Sequence, residues 1–231
     1  MNTESGYLYE THLHTYPVSR CAIATVRESL DFYRGEGYAG VFITNHFIDG
    51  NIRIDTDMSY EEKIEFYFSD YEKAVEIGRE IGIDVFCGVE SSYYGTDFLI
   101  YGLDKQWFLE HPEIMDMNKR EQLTFFARQG ALIIHAHPFR EASYIDHIRL
   151  YPRHVHGVEV YNAGRTKLEN KMAKIYCENY ELIPFAGTDN HIGVKNELGG
   201  MMTKTRITSV EDFIEQVKDG RAKPFERTAT E

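Results

Sequence analysis

The run Tyr7-Leu8-Tyr9-Glu10-Thr11-His12-Leu13-His14 is apolar and β-like, and it closes on two histidines. Three later runs end in the same way. Val41-Phe42-Ile43-Thr44 is followed by Asn45-His46, and Ala131-Leu132-Ile133-Ile134 by His135-Ala136-His137-Pro138. Leu182-Ile183-Pro184-Phe185-Ala186-Gly187-Thr188 is followed by Asp189-Asn190-His191. In a parallel sheet or barrel the C-terminal ends of the strands share one rim, and sites are built on that rim. Histidines and carboxylates carried there by separate strands converge. Neutral imidazole with carboxylate is the ligand mixture of zinc, manganese and iron centres. Of the ten histidines, eight lie at or near such runs, and His111 and His147 read as ordinary helix or loop positions.

The segments between these runs have helical patterns. Thr25–Glu36 spaces Val26, Leu30 and Tyr33 helically and meets Gly37 just past its end. Ser59–Gly82 opens on a capping box, Ser59 with Glu62 three residues on. Lys105–Gln129 reads as one or two helices broken near Pro112, Thr166–Tyr180 as another, and Ser209–Lys218 as a last one closed by Gly220. Further strands are expected at Asp84–Glu90, Phe98–Gly102, Gly157–Tyr161 and Thr203–Thr208, with Phe98–Gly102 paired to its predecessor through the turn at Gly95. Alternation of this kind over 231 residues predicts one α/β domain spanning residues 1–231, built on a parallel sheet or (β/α) barrel. The turn-rich loop Asp49-Gly50-Asn51-Ile52-Arg53 is placed to border a site.

Composition narrows the partners. A net charge of −12 argues against a nucleic-acid surface, which needs clustered Lys and Arg. A small phosphate ester stays compatible, because bound metals neutralise it locally. Cys21, Cys87 and Cys177 show no Cys-x-x-Cys spacing, as in a reduced cytoplasmic protein. The opening Met1-Asn2-Thr3-Glu4-Ser5 does not read as a signal peptide, and no apolar run approaches the roughly 20 residues that span a bilayer.

The metal reading rests on spacing. Residues two apart in a strand face one side, so His12 with His14, and Asp189 with His191, can offer two ligands to one ion. His135 and His137 do the same unless the strand ends before Pro138. Glu90 follows Val85-Phe86-Cys87-Gly88-Val89, and a carboxylate buried there has to be paired or metal-bound. Glu159, in Gly157-Val158-Glu159-Val160-Tyr161, is a weaker candidate of the same kind.

In this order the motifs resemble those of the PHP family, the polymerase and histidinol phosphatase domain. The resemblance runs from about Tyr9 to His191. It matches His12-Leu13-His14 to the opening His-x-His, Asn45-His46 to an Asp-His, and Glu90 to a bridging glutamate. His137-Pro138 matches the His-Pro motif and Asp189-Asn190-His191 the final Asp-x-His. The resemblance implies a distorted seven-stranded (β/α) TIM-like barrel and two or three divalent metals, zinc, manganese or iron. The implied metal ligands are His12, His14, His46, Glu90, His137, Asp189 and His191. It further implies metal-dependent phosphoester hydrolysis by a stand-alone enzyme.

Two departures stand out. Many members carry a third-metal ligand shortly after the first motif, where this chain has Val18-Ser19-Arg20-Cys21; Arg20 cannot ligate, which predicts a weakened third site. Some members place a ligand near the strand holding Glu159, and His154, His156 and Asn162 all remain candidates for it, with His135 an uncertain extra ligand.

The expected chemistry is attack of a metal-activated water on a small phosphorylated metabolite or nucleotide. Asp189 or His191 could protonate the leaving oxygen. Arg20, Arg140 and Arg165 lie just beyond strand ends, where a guanidinium takes phosphate oxygens bidentately, and Arg20 could stand in for the third metal. Two alternatives are a C–N-cleaving amidohydrolase-like enzyme and a noncatalytic metal-binding module. The first would be expected to use a strand-end lysine as bridging ligand, and no predicted strand ends in Lys.

Overall fold

The computed structural model describes residues 6–230, so the opening segment read for a signal peptide lies outside it. Nine strands form one sheet: β1 (Tyr7–Leu13), β2 (Gly40–Ile43), β3 (Asp84–Tyr93), β4 (Thr96–Tyr101), β5 (Leu132–Ala136), β6 (Gly157–Asn162), β7 (Ile183–Gly187), β8 (Glu197–Thr203) and β9 (Lys223–Thr228). Their order is β7-β6-β5-β4-β3-β2-β1-β8-β9. β1, β2 and β3 run parallel, as do β5, β6 and β7, while β4 is antiparallel to both neighbours. Beyond the end of β7, Asn190 bridges Leu13 of β1 in parallel fashion. The first seven strands therefore nearly close into a ring, a distorted TIM-like barrel. β8 and β9 extend the sheet beside β1 as antiparallel strands.

The helices are α1 (Val26–Gly35), α2 (Tyr60–Ile81), α3 (Lys105–Glu110), α4 (Lys119–Arg128), α5 (Lys167–Asn179) and α6 (Val210–Lys218). The break near Pro112 is a 3-10 turn, Pro112–Asp116. α1, α2, α4 and α5 each open on a capping box, with Thr25–Glu28, Ser59–Glu62, Asn118–Glu121 and Thr166–Glu169 satisfying the free amides of the first turn. No described helix is long and apolar enough to cross a membrane.

The barrel interior is aromatic. Tyr101 of β4 lies 5.3 Å from Phe42 of β2 and 5.7 Å from Phe185 of β7, ring to ring, although these strands are not neighbours. Phe213 of α6 contacts Phe42, Tyr101 and Phe185 and plugs this core. With one end filled by rings, the polar groups gather at the other.

Two expectations need correction. The final strand expected at Thr203–Thr208 is instead β8, Glu197–Thr203, and β9 was not foreseen. Gly199 and Gly200 make β8 read poorly as a strand, yet they are needed there. A Cβ at Gly200 would strike the Tyr9 carbonyl, and one at Gly199 would sit 2.9 Å from the Gly187 oxygen. β9 is half-exposed and polar, so it lacks the apolar pattern of a buried strand.

Gly187 closes the barrel for a similar reason. A Cβ there would lie 2.5 Å from the His12 Cβ and 2.8 Å from Glu159 Oε1, neither of which has room to retreat. Gly187→Ala is expected to destabilise the fold by roughly 1–3 kcal/mol, measured as a fall in the urea midpoint. An unchanged midpoint would mean that β1 and β7 are not tightly apposed.

Candidate metal centre

Glu90 sits at the centre, fully buried, on β3 beside the end of β2, where His46 pairs with it across the strands. Its Oε1 is 3.1 Å from His12 Nε2 and 3.3 Å from His137 Nε2. Its Oε2 is 2.6 Å from His46 Nδ1 and 3.4 Å from His14 Nε2. Asp189 enters from just past β7, its Oδ1 3.5 Å from the Nε2 atoms of both His12 and His14. His191 stacks on His14 with ring centroids 4.2 Å apart. Ligand atoms group as His12–His14–Glu90, His12–His137–Asp189, His14–His46–His191 and Glu90–Asp97–His137, each within 4.8 Å.

Asp97, on β4, escaped the sequence reading because it sits inside a strand with no motif around it. It bonds Arg140 at 3.0 Å, and burial, then the nearby Glu90 charge, raise its carboxyl above the usual range.

The outer nitrogens of His12 and His14 are held. His12 Nδ1 lies 2.9 Å from Glu159 Oε1, and the other Glu159 oxygen accepts from the His137 amide and the Asn162 side chain, each at 2.9 Å. His14 Nδ1 lies 3.1 Å from Ser19 Oγ, whose own proton goes to Asn45 Oδ1 at 2.7 Å. Ser19 has one proton to give, so His14 Nδ1 must be the donor and Nε2 carries the lone pair. His14 thus presents an Nε2 lone pair to the carboxylates, and His12, whose Nδ1 is held by Glu159, would do so once its Nε2 proton leaves, the tautomer that metal binding requires.

This donor set fits divalent ions. His14 Nε2 is buried without a hydrogen bond, and His46 Nδ1 and Glu90 Oε2, though 2.6 Å apart, are not aligned as one. Such atoms are costly unless a ligand satisfies them. Electrostatics agree. Burial would raise Glu90 and Asp189, but the surrounding histidines hold both carboxyls well below their ordinary range. Burial would lower His12 and His46, yet Asp189, Glu159 and Glu90 around His12, and Glu90 beside His46, push both well above theirs. His137 and Asp189 have φ of +26° and +53°, left-handed conformations at two strand ends that turn these side chains inward.

The structure moves several candidates away. His135 does not join the centre, because β5 ends at Ala136 and His137 begins a turn, so the two histidines do not share a face. His135 instead stacks on Phe98 at 5.0 Å, and burial, then the His137 charge, push its ring down to about 3. His156 accepts from the Ile133 amide at 3.0 Å, and His154 lines a separate groove with Met117 and Phe125. Glu159 and Asn162 touch the ligands rather than join the four ligand groupings. Arg20 turns its guanidinium to the Ile52 carbonyl at 3.3 Å, away from the centre, so it neither takes the third-metal position nor faces the cavity there. Cys21 faces that cavity instead. Against the burial that would raise it, contacts with His191 and His46 bring its thiol down to about 6.

The centre opens into a cavity of about 690 Å³ whose walls include Arg140, Arg165, Tyr94 and Tyr144. Asp49, Gly50 and Asn51 of the turn-rich loop also border it.

Glu159→Ala frees the His12 ring and is expected to weaken metal binding about 10–100-fold while the fold persists, read by competition with a chromophoric chelator. Unaltered affinity would show that Glu159 does not orient the ligand. The raised His12 and His46 hold protons at pH 7 in the metal-free chain, so loading should release protons and affinity should fall as pH falls. Calorimetry in buffers of different ionisation enthalpy reads this; uptake of protons, or none exchanged, would contradict the assigned charges.

No family model and no curated protein matches this chain. Solved structures do. A two-domain protein from Bacteroides vulgatus containing a predicted PHP-like metal-dependent phosphoesterase matches at TM-score 0.68 and 15% identity, over 96% of this chain and 65% of that one. A candidate metal-dependent phosphoesterase from Bifidobacterium adolescentis matches at TM-score 0.54 and 14% identity, over 90% and 94% of the two chains. An amidohydrolase from Chromobacterium violaceum, solved with sulfate and no metal, matches at TM-score 0.53 and 14% identity, over 80% and 87%. This chain thus spans just under two thirds of the Bacteroides protein. At these identities the likeness establishes architecture: the chain has the fold found in PHP-like metal-dependent phosphoesterases.

Proposed function

We propose that this chain is a phosphoesterase of the PHP family, hydrolysing a small phosphorylated metabolite or nucleotide with two or three divalent ions of zinc, manganese or iron. The observation that carries this reading is the buried Glu90, which places its two oxygens among four imidazoles in a setting of unsatisfied donor atoms. His12, His14, Glu90 and Asp189 would hold one ion; Glu90, His137 and Asp97 a second; and His46 and His191 would offer ligands to a third. When bound, such ions supply Lewis-acid charge for phosphoryl oxygens and lower the pKa of a water.

The remaining roles belong to the chain itself. Arg140 and Arg165 stand on the cavity wall, where their guanidiniums can take phosphate oxygens. Arg165 Nε is buried without a partner, and so is ready to donate. His191 sits at the cavity edge, and Cys21 and Asp189 raise its ring against the lowering effect of burial. With two ions bound and the third position empty, it can carry a proton to the leaving oxygen. The exposed rings of Tyr94 and Tyr144 offer apolar faces to the rest of the substrate. The cavity is of the size used for small molecules.

The amidohydrolase likeness favours one alternative, C–N cleavage on the same rim. Against it, the bridging position is a carboxylate, and the nearby Lys195 is turned to the Thr188 and Asp189 carbonyls.

A panel of phosphorylated metabolites and of amides, assayed with Mn²⁺, Zn²⁺ and Fe²⁺, should release phosphate and cleave no amide; the reverse outcome would install the alternative. Glu90→Gln keeps the shape and removes the charge. It is expected to lose one metal and more than about 100-fold in turnover, beyond the cost of outer partners. Wild-type turnover and stoichiometry in that variant would remove the proposal.

A further inference from the structure

A buried lysine stands behind the cavity wall. Lys119 is only 6% exposed, although lysine is rarely buried unless it is paired. It is the first residue of α4, where a positive charge opposes the helix dipole, so helix formation does not account for it. Its ammonium donates to Asp49 Oδ2 at 2.9 Å, Ser91 Oγ at 2.7 Å and Gln122 Oε1 at 2.6 Å. These acceptors use all of its protons. Ser91 Oγ donates in turn to Asp49 Oδ2 at 2.7 Å, and the Ser92 amide donates to Asp49 Oδ1 at 3.0 Å.

The network joins separate elements at the mouth of the metal centre. Asp49 belongs to the turn-rich loop that follows His46, Ser91 follows Glu90 on β3, and Lys119 and Gln122 share α4. A Cβ at Gly50 would lie 2.8 Å from Ser92 Oγ and 3.4 Å from the His46 Cβ, so the loop lies directly on both. Asp49 borders the cavity, whereas Lys119 does not. Histidines compensate Glu90 and Asp189, and Arg140 compensates Asp97. Asp49 is compensated from behind the wall, by Lys119.

We propose that Lys119 is a positioning residue acting through Asp49: it holds the loop of residues 49–53 against β3 and cancels a carboxylate that would otherwise face an incoming phosphate. This rests on the phosphoesterase reading above and adds to it the control of charge in the cavity wall. Arg140 and Arg165 favour a phosphate only where neighbouring acids are compensated. Without the ammonium, Asp49 keeps its bonds from Ser91 and Ser92 but becomes a net negative charge on the wall. Such a charge repels anions and attracts divalent cations, so loss of Lys119 moves the two affinities in opposite directions. A lysine that merely supported the fold would lower both when lost.

Both affinities can be read on the whole chain: inorganic phosphate binding to the Zn²⁺-saturated protein by calorimetry, and Zn²⁺ binding to the stripped protein by chelator competition. Lys119→Met should weaken phosphate about tenfold, the effect of one unit charge across roughly 10 Å at an effective dielectric of about 20, and should tighten Zn²⁺. Adding Asp49→Asn to it should return both affinities towards those of the parent. Asp49→Asn alone leaves the ammonium uncompensated, so phosphate should bind tighter and Zn²⁺ weaker; this variant decides the matter if Lys119→Met does not fold. A fall in both affinities in Lys119→Met, a double variant that recovers neither, or an Asp49→Asn chain with unchanged affinities would overturn the assignment. A parent that binds no phosphate and hydrolyses no phosphoester would remove the proposed function, while opposed Zn²⁺ shifts in the two single variants would still uphold the role of Lys119. Phosphoester hydrolysis with Zn²⁺ and phosphate affinities unmoved in both would do the opposite.

Discussion

A carboxylate with no exposure to water is the constraint around which this molecule is arranged. Glu90 lies inside the barrel mouth, and an isolated charge there would be severely destabilising. His12, His14, His46 and His137 surround it, so the charge is compensated whether the rings hold protons or metal. Those four residues come from three separate strand ends. The barrel must therefore be nearly closed before any of them is in place, and folding and site assembly are one event.

Closure in turn depends on a second buried carboxylate. Glu10 Oε1 accepts the amides of Thr11, His12 and Thr188, at 2.9, 2.7 and 3.0 Å, across the seam between β1 and β7. The β1 register shifts between Glu10 and Leu13, and this carboxylate satisfies amides the irregular ladder leaves free. The seam also carries Gly187, whose missing side chain lets His12 and Glu159 pack against β7. At the other end the rings of Phe42, Tyr101, Phe185 and Phe213 supply apolar burial. The division is physical: apolar contacts carry stability at the closed end, while the rim carries groups that are costly to bury without ligands.

Outer partners decide what the rim can do. Glu159 and Ser19 hold the outer nitrogens of His12 and His14, so the inner nitrogens are the ones turned to the carboxylates. Asn45, where an aspartate would be expected from the motif, accepts from Thr15 N and Ser19 Oγ, at 2.7 Å each. It holds the turn that carries Arg20 and Cys21, and an amide serves there because both donors are neutral.

Local pattern by itself determined the alternation of strands and helices, the barrel class and the ends of strands on which His12, His14, His46 and Asp189 gather, because period and capping are properties of adjacent residues. It also marked Glu90 as a carboxylate in need of partners, since its flanks are apolar. Only the tertiary structure decided which side chains at a strand end turn inward. His135 and His137 have equal claims by spacing, and a strand that stops at Ala136 separates them. Arg20 and Cys21 are neighbours, and bonds to the Asn51 and His191 carbonyls, distant in sequence, set which of the two faces the cavity. β8 and Asp97 stayed hidden for the same reason: glycines that look like breaks, and a lone acid within a strand, acquire meaning only from what packs against them. Orientation at a rim is set by contacts across the barrel, and no window of adjacent residues contains those contacts.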